Sequence, residues 1–301
     1  MTTHAYKKPI NTSILFAGGG KEIRRFARQQ TLGLVSLLFI CVLLLSGIFA
    51  STIAPYDPVA ADFSAVLQAP GATHWMGTDA FGRDILSRVL YGARPAILMG
   101  IGASFLGAFF GGLVGIASAY FGGVVDAAIQ RVVDIMLSVP VIVLALVVAA
   151  VLGRREMLGI DVNLVFAIAI PYVPKVARVI RSAALIVRQM PYIDAAKASG
   201  FSHLRIILNH MAPNLAAPWL VLVTAFTAQT ILLEASLSFL GVGVVEPTPA
   251  WGLMLSGMGV NLFAESPWIV LYPGLAISLT VFAFSLLGDA MRDTLDPKFR
   301  R

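Results

Sequence analysis

Charge is scarce in this 301-residue chain: Asp, Glu, Lys and Arg make up 13% of it, against 58% hydrophobic residues and a mean hydropathy of +0.84. Soluble domains carry about 25% charged residues, so the balance argues against a water-soluble fold and for a chain solvated by lipid. Cysteine is almost missing. Cys41 stands alone in an apolar run, which excludes an intrachain disulfide and leaves a small packing residue. Catalytic patterns are missing too. Gly18-Gly19-Gly20-Lys21 lacks the earlier glycine of GxxxxGK[ST] and is followed by Glu22, so it is not a phosphate loop, and ATP must be hydrolysed elsewhere. His4, His74, His203 and His210 are scattered, and neither HExxH nor GxSxG occurs, which argues against a metal site, a hydrolase or a membrane-embedded enzyme. The net charge of +6 comes from short clusters beside apolar runs, as in membrane flanks, and not from a nucleic-acid-binding patch.

What is present is length without charge. Gln29 to Tyr56 carry no charged residue, and Leu32 to Ala54 suffice for a first span, since about 20 residues cross a bilayer core. The preceding Lys21, Arg24, Arg25 and Arg28 would suit a signal peptide, but the apolar stretch is too long, so a retained anchor is expected. Five further spans are expected at Pro95 to Tyr120, Ile135 to Leu152, Asn163 to Arg181, Ala216 to Phe239 and Pro267 to Gly288. In the fourth, Lys175, Arg178 and Arg181 must snorkel or face protein. With the N-terminus inside, 17 Lys and Arg fall on the inner segments and 5 on the outer ones. The positive-inside rule then puts both termini in the cytoplasm. The expected organisation is a cytoplasmic segment 1–30, an anchor 31–54, an extracytoplasmic segment 55–94, a core 95–290 and a cytoplasmic tail 291–301.

Gly107, Gly111 and Gly115 recur every fourth residue and predict a flat ridge for close helix packing. Pro140, Pro171 and Pro174 predict bends, for gating or for packing alone. Glu234 is the one acid inside an expected span. A mid-membrane charge costs roughly 3 kcal/mol and would mark a pore or gate. At about 27 Å from Ala216 along the helix, however, Glu234 nears the outer interface, where a packing role is equally open.

Two polar segments interrupt the spans. In residues 188–214, Pro191 suits a first helical position, Asp194 the first turn, and Ala195 and Ala196 the helix body. Gly200 suits a left-handed end, and Ser202 the cap of a second helix that stops before Pro213. On its own this is also the pattern of an ordinary surface helix hairpin. In residues 77–94, Arg83, Asp84, Ser87 and Arg88 oppose Ile85, Leu86, Val89 and Leu90. That predicts an interfacial amphipathic helix resting on headgroups or on a partner.

Asp194-Ala195-Ala196, with Gly200 six residues after the Asp and Pro213 thirteen after the Gly, resembles the EAA loop of ABC importer permeases. GTDAFGRDILSRVLYGAR from Gly77, AYFGGVVD from Ala119, RVVDIMLSVP from Arg131, ASLSFLGVG from Ala235, TPAWGLML from Thr248 and GDAMRDTLDPK from Gly288 narrow the likeness. They resemble the second permease of dipeptide, oligopeptide and nickel importers over nearly all the chain after residue 30. Departures are Asp194 for the usual Glu, Ala212 before Pro213, and Glu246 and Ala250 in the outer loop. The resemblance implies an all-α membrane protein of about six spans, a MetI-like type I permease bundle in the inner membrane. It implies a homologous second permease, two ATPase subunits holding ATP and magnesium, and an extracytoplasmic solute-binding protein. This chain itself would bind no cofactor. Asp194, Ala195, Ala196, Gly200 and Pro213 would form the ATPase-coupling loop, and Asp79, Arg83, Asp84, Arg88 and Trp251 the extracytoplasmic contacts. The expected solute is a peptide, because the spans hold no His or Cys pair for nickel, the alternative cargo. An ion-coupled carrier is the rival outside the family. It would need more intramembrane carboxylates than Glu234, and no internal repeat supports it.

Overall fold

In lipid, a backbone finds hydrogen-bond partners only within itself, and long apolar runs therefore close into helices. The computed structural model describes residues 30–157, 160–256 and 262–295. The expected N-terminal segment 1–29 and the tail from residue 296 lie outside the described residues.

Helix α1 (Thr31–Ile48) and a short α2 (Ala50–Ile53) precede an outer stretch of turns. α1 buries only Gly33, Ser36, Ile40 and Gly47, leaving its leucines and valines outward, as suits a helix bathed in lipid. Next comes α3 (Ile85–Phe121), followed by α4 (Gly123–Ser138) and α5 (Val141–Leu152). A two-residue antiparallel hairpin, β1 (Glu156–Met157) and β2 (Ile160–Asp161), leads into α6 (Val162–Ala169), a 3-10 turn (Ile170–Tyr172) and α7 (Val173–Arg188). The chain ends in α8 (Pro191–Ala198), α9 (His203–Ile206), a π-helical turn (Ile207–Met211), α10 (Ala212–Phe239), α11 (Trp251–Leu255) and α12 (Trp268–Leu295). Among the described residues, five helical stretches are long and apolar enough to cross a membrane, and six if the bent pair α4–α5 is one span.

Two expectations about helix limits are corrected. The second span does not begin at Pro95 behind a separate amphipathic helix. Asp84 caps α3 by accepting from Ser87 N at 2.8 Å, and the 37-residue helix then runs through Pro95 without a break. One missing N–H does not stop a helix of that length when tertiary packing holds it. The third span bends at Pro140 as expected, and sharply: Val139 is extended and α5 restarts 96° away from α4. The helix begun at Ser202 does not stop before Pro213. It continues from His203 to Phe239, and the wide π-turn lies just where the proline ring would crowd a regular helix.

The glycine ridge packs as expected. A Cβ on Gly111 would lie 2.6 Å from Val173 O, and one on Gly115 2.6 Å from Ala177 O, so only hydrogen lets α3 meet the α7 backbone. α3 also packs on α10, α10 on α12, and α12 on α1. Buried hydroxyls and an indole stitch α10 to α3: Thr230 Oγ1 donates to Gly100 O at 2.8 Å and Trp219 Nε1 to Ala108 O at 2.9 Å. Two of the three cations of the fourth span pair with acids of α4. Arg181 Nε donates to Asp126 of α4 at 2.6 Å, and Arg178 pairs with Asp134.

Candidate functional site

α3 joins two polar regions that sit at opposite ends of a rod about 55 Å long. At its C-terminal end lies the loop of Asp194. Pro191 opens α8, where a missing N–H costs nothing, and Asp194 sits in the first turn. Gly200, at φ +74°, closes the helix: its N–H donates to Lys197 O, and that of Phe201 reaches Ala196 O at 3.2 Å. This pair of bonds satisfies the last carbonyls and turns the chain into α9. Ile193 and Ala196 are buried, whereas Asp194, Leu204 and Leu208 are exposed. The loop is fastened to α3 by a 2.8 Å hydrogen bond between Tyr120 OH and His203 Nδ1, and by Arg188 Nη1 donating to Ala119 O at 2.8 Å. Asp194, Ala195 and Ala196 thus lie within α8 with Gly200 just past its end, while Pro213 stands beyond the π-turn inside α10.

At the other end of α3, the segment before Ile85 folds back as a clamp. Asp79 Oδ1 accepts from Phe81 N and Arg83 N, and its Oδ2 from Arg83 Nε at 2.6 Å. Arg83 Nη1 also donates to Glu246 Oε2 at 2.7 Å, from the loop between α10 and α11. Burial works against the Arg83 charge, but the Glu246 hydrogen bond and the Asp79 charge outweigh it, so the guanidinium holds its proton more firmly than an ordinary arginine. Arg88 Nη1 donates to Pro58 O at 3.0 Å and Nη2 reaches Glu246 Oε1 at 3.4 Å, while its buried Nε has no acceptor. Asp84 accepts from His74 Nδ1 at 2.9 Å besides capping α3. Trp251 Nε1 donates to Val89 O at 2.9 Å. A cavity of about 190 Å³ opens between Asp79, Arg83, Arg88, Glu246 and the end of α11.

The family pattern of the "binding-protein-dependent transport system inner membrane component" matches residues 107–301, and that of the "N-terminal TM domain of oligopeptide transport permease C" matches residues 20–70. The chain belongs to the first family. This permease is 39% identical over 300 residues to the dipeptide transport system permease protein DppC of Alkalihalophilus pseudofirmus, covering 100% of this chain and 97% of that one. It is 41% identical over 278 residues to the glutathione transport system permease protein GsiD of Escherichia coli O6:K15:H31, covering 92% and 89%. A looser likeness, TM-score 0.48 at 17% identity, joins it to a chain of the MetNI methionine ABC transporter solved in inward-facing conformations, over 68% of this chain and 96% of that one. The permease is a multi-pass inner-membrane subunit of an ABC importer, working with ATPase partners and a second permease; it is not an enzyme.

The outer contact residues of this permease need correction. Asp79, Asp84, Arg88 and Trp251 are at most 7% exposed, because the chain's own clamp satisfies the polar face that looked free in sequence. Residues so buried offer a partner no surface. Arg83 reaches the cavity wall. Glu234 is 1% exposed and accepts from Ser238 Oγ at 2.7 Å, and that hydroxyl also accepts from Val244 N. It ties the end of α10 to the following loop. Glu246 and His74 were missed as partners of the clamp. Their sequence positions, 163 residues beyond Arg83 and 10 before Asp84, carry no periodic signal.

Proposed function

We propose that this permease carries short peptides, forming half of the translocation path, with the Asp194 loop docking a partner ATPase in the cytoplasm. The observation that carries the docking reading is the continuity of α9, the π-turn and α10 as one 37-residue helix, which makes the loop a handle on a span. ATP-driven closure of two ATPases, which hold the nucleotide and magnesium, draws the docked loops together. The spans then rock between inward- and outward-facing states. An extracytoplasmic binding protein delivers the solute. The peptide reading is supported by the dipeptide and glutathione permeases among its relatives.

Three measurements test this reading. A Gly200→Val permease should insert and pair with its partner permease yet lose its ATPases, since a β-branched residue resists φ +74°. Coupled uptake at the wild-type rate would remove the loop's role. With Cys41 replaced, cysteines at the exposed positions Thr73 and Thr248 should react with an impermeant reagent outside spheroplasts, and one at Lys197 only after lysis. Outside labelling at Lys197 would invert the orientation. The full complex with its binding protein should accumulate labelled di- to pentapeptides. Saturable nickel uptake without peptide uptake would refute the solute and leave the permease standing.

A further inference from the structure

In the clamp two guanidiniums pair with two carboxylates, Asp79 and Glu246, and these carboxylates are not equivalent. Asp79 is buried and spends both oxygens on Arg83 and on backbone N–H groups. Glu246 comes from a distant loop, its side chain is 48% exposed, and among the described residues it is the other anion paired with the two arginines. Arg83 meets it as a fork, with Nη1 to Oε2 at 2.7 Å and Nη2 to Oε1 at 3.4 Å, the geometry that guanidinium offers to any carboxylate. Arg88 is 1% exposed, lines the same cavity, and keeps its Nε without an acceptor, 3.7 Å from Asp79 Oδ2. A buried donor left unpaired is uncommon and marks a place where an acceptor belongs. Beside this polar fork the cavity wall is apolar, formed by Phe81, Leu253, Met254 and Ile269. Its volume of about 190 Å³ is worth roughly six waters, enough for a carboxylate with one side chain and too little for a long peptide.

We propose that Arg83 and Arg88 form a carboxylate site, occupied in this conformation by Glu246, and that the C-terminal residue of a peptide solute displaces Glu246 from it. The incoming carboxylate takes the Arg83 fork, its side chain rests on the apolar wall, and Glu246 swings into water. The site stays neutral before and after the exchange. This inference rests on the peptide reading of the permease.

The test is equilibrium binding of a radiolabelled dipeptide, as free acid and as C-terminal amide, to the complete complex of permeases and ATPases without the binding protein. Glu246→Gln and Glu246→Ala should each tighten binding of the acid about tenfold and leave the amide unchanged. Adding Arg83→Lys, which keeps the charge but loses the fork, should return the acid to its wild-type affinity. Equal binding of acid and amide in both opened variants would overturn the site, as would affinity no greater than wild type. Tighter capture of the solute-binding protein by those variants, with no acid–amide difference, would assign the arginines to a protein partner and also overturn it. Uptake by the wild-type system separates the two claims. Nickel uptake without peptide uptake sinks the solute reading, whereas peptide uptake with no acid–amide difference in the variants sinks the carboxylate site alone.

Discussion

Gly82 and Gly200 share a backbone torsion of φ +74° and have opposite surroundings. A Cβ on Gly82 would lie 1.8 Å from Asp62 O, whereas one on Gly200 would meet nothing within 4 Å. The outer clamp is fixed by shape, with chain packed on chain and charges paired in its interior. The Asp194 loop is fixed by a few hydrogen bonds at a helix end, and its outward face is free. A surface left open cannot also be packed, so the two ends of α3 hold their form by different means.

The largest effect should fall on the crowded end. Gly82→Ala adds a steric collision to torsional strain and should cost about 4 kcal/mol, read as lost thermal stability of the purified permease. The ridge between the two ends should come next. Gly111→Ala puts a methyl group against Val173 O on the α7 backbone, which cannot step aside, for about 2 kcal/mol. Gly200→Ala carries the strain without the collision and should cost about 1 kcal/mol. Equal shifts for Gly82→Ala and Gly200→Ala would break the comparison. The smallest effect should come from Lys197→Ala, since the 3.2 Å pair with Asp194 is exposed; a loss above about 0.5 kcal/mol would mean the loop is more tightly built than described.

The spans and the glycine ridge were legible because hydropathy and four-residue spacing are local properties, and so was the Gly200 turn, which needs only its neighbours. Helix limits were less legible. Pro95 reads as a start in a window of ten residues, yet a long packed helix carries it inside. The clamp was misread for a different reason. Arg83, Asp84, Ser87 and Arg88 do form a polar face, but sequence spacing cannot say whether a face meets water or protein. The residues that cover it are Pro58, His74 and Glu246, from segments with no pattern of their own.

The π-turn at Ile207–Met211 has a consequence for phase. A regular helix turns about 100° with each residue. A π-turn takes up one residue more than a regular turn, so the helix before it is rotated by about that angle against the faces of α10. Which compass direction the Asp194 loop addresses is thus set by a residue count. Deleting one residue there would restore a regular helix and leave the loop facing as it does, whereas regularising the helix at its present length would swing the loop through about 100° with every side chain of its surface intact.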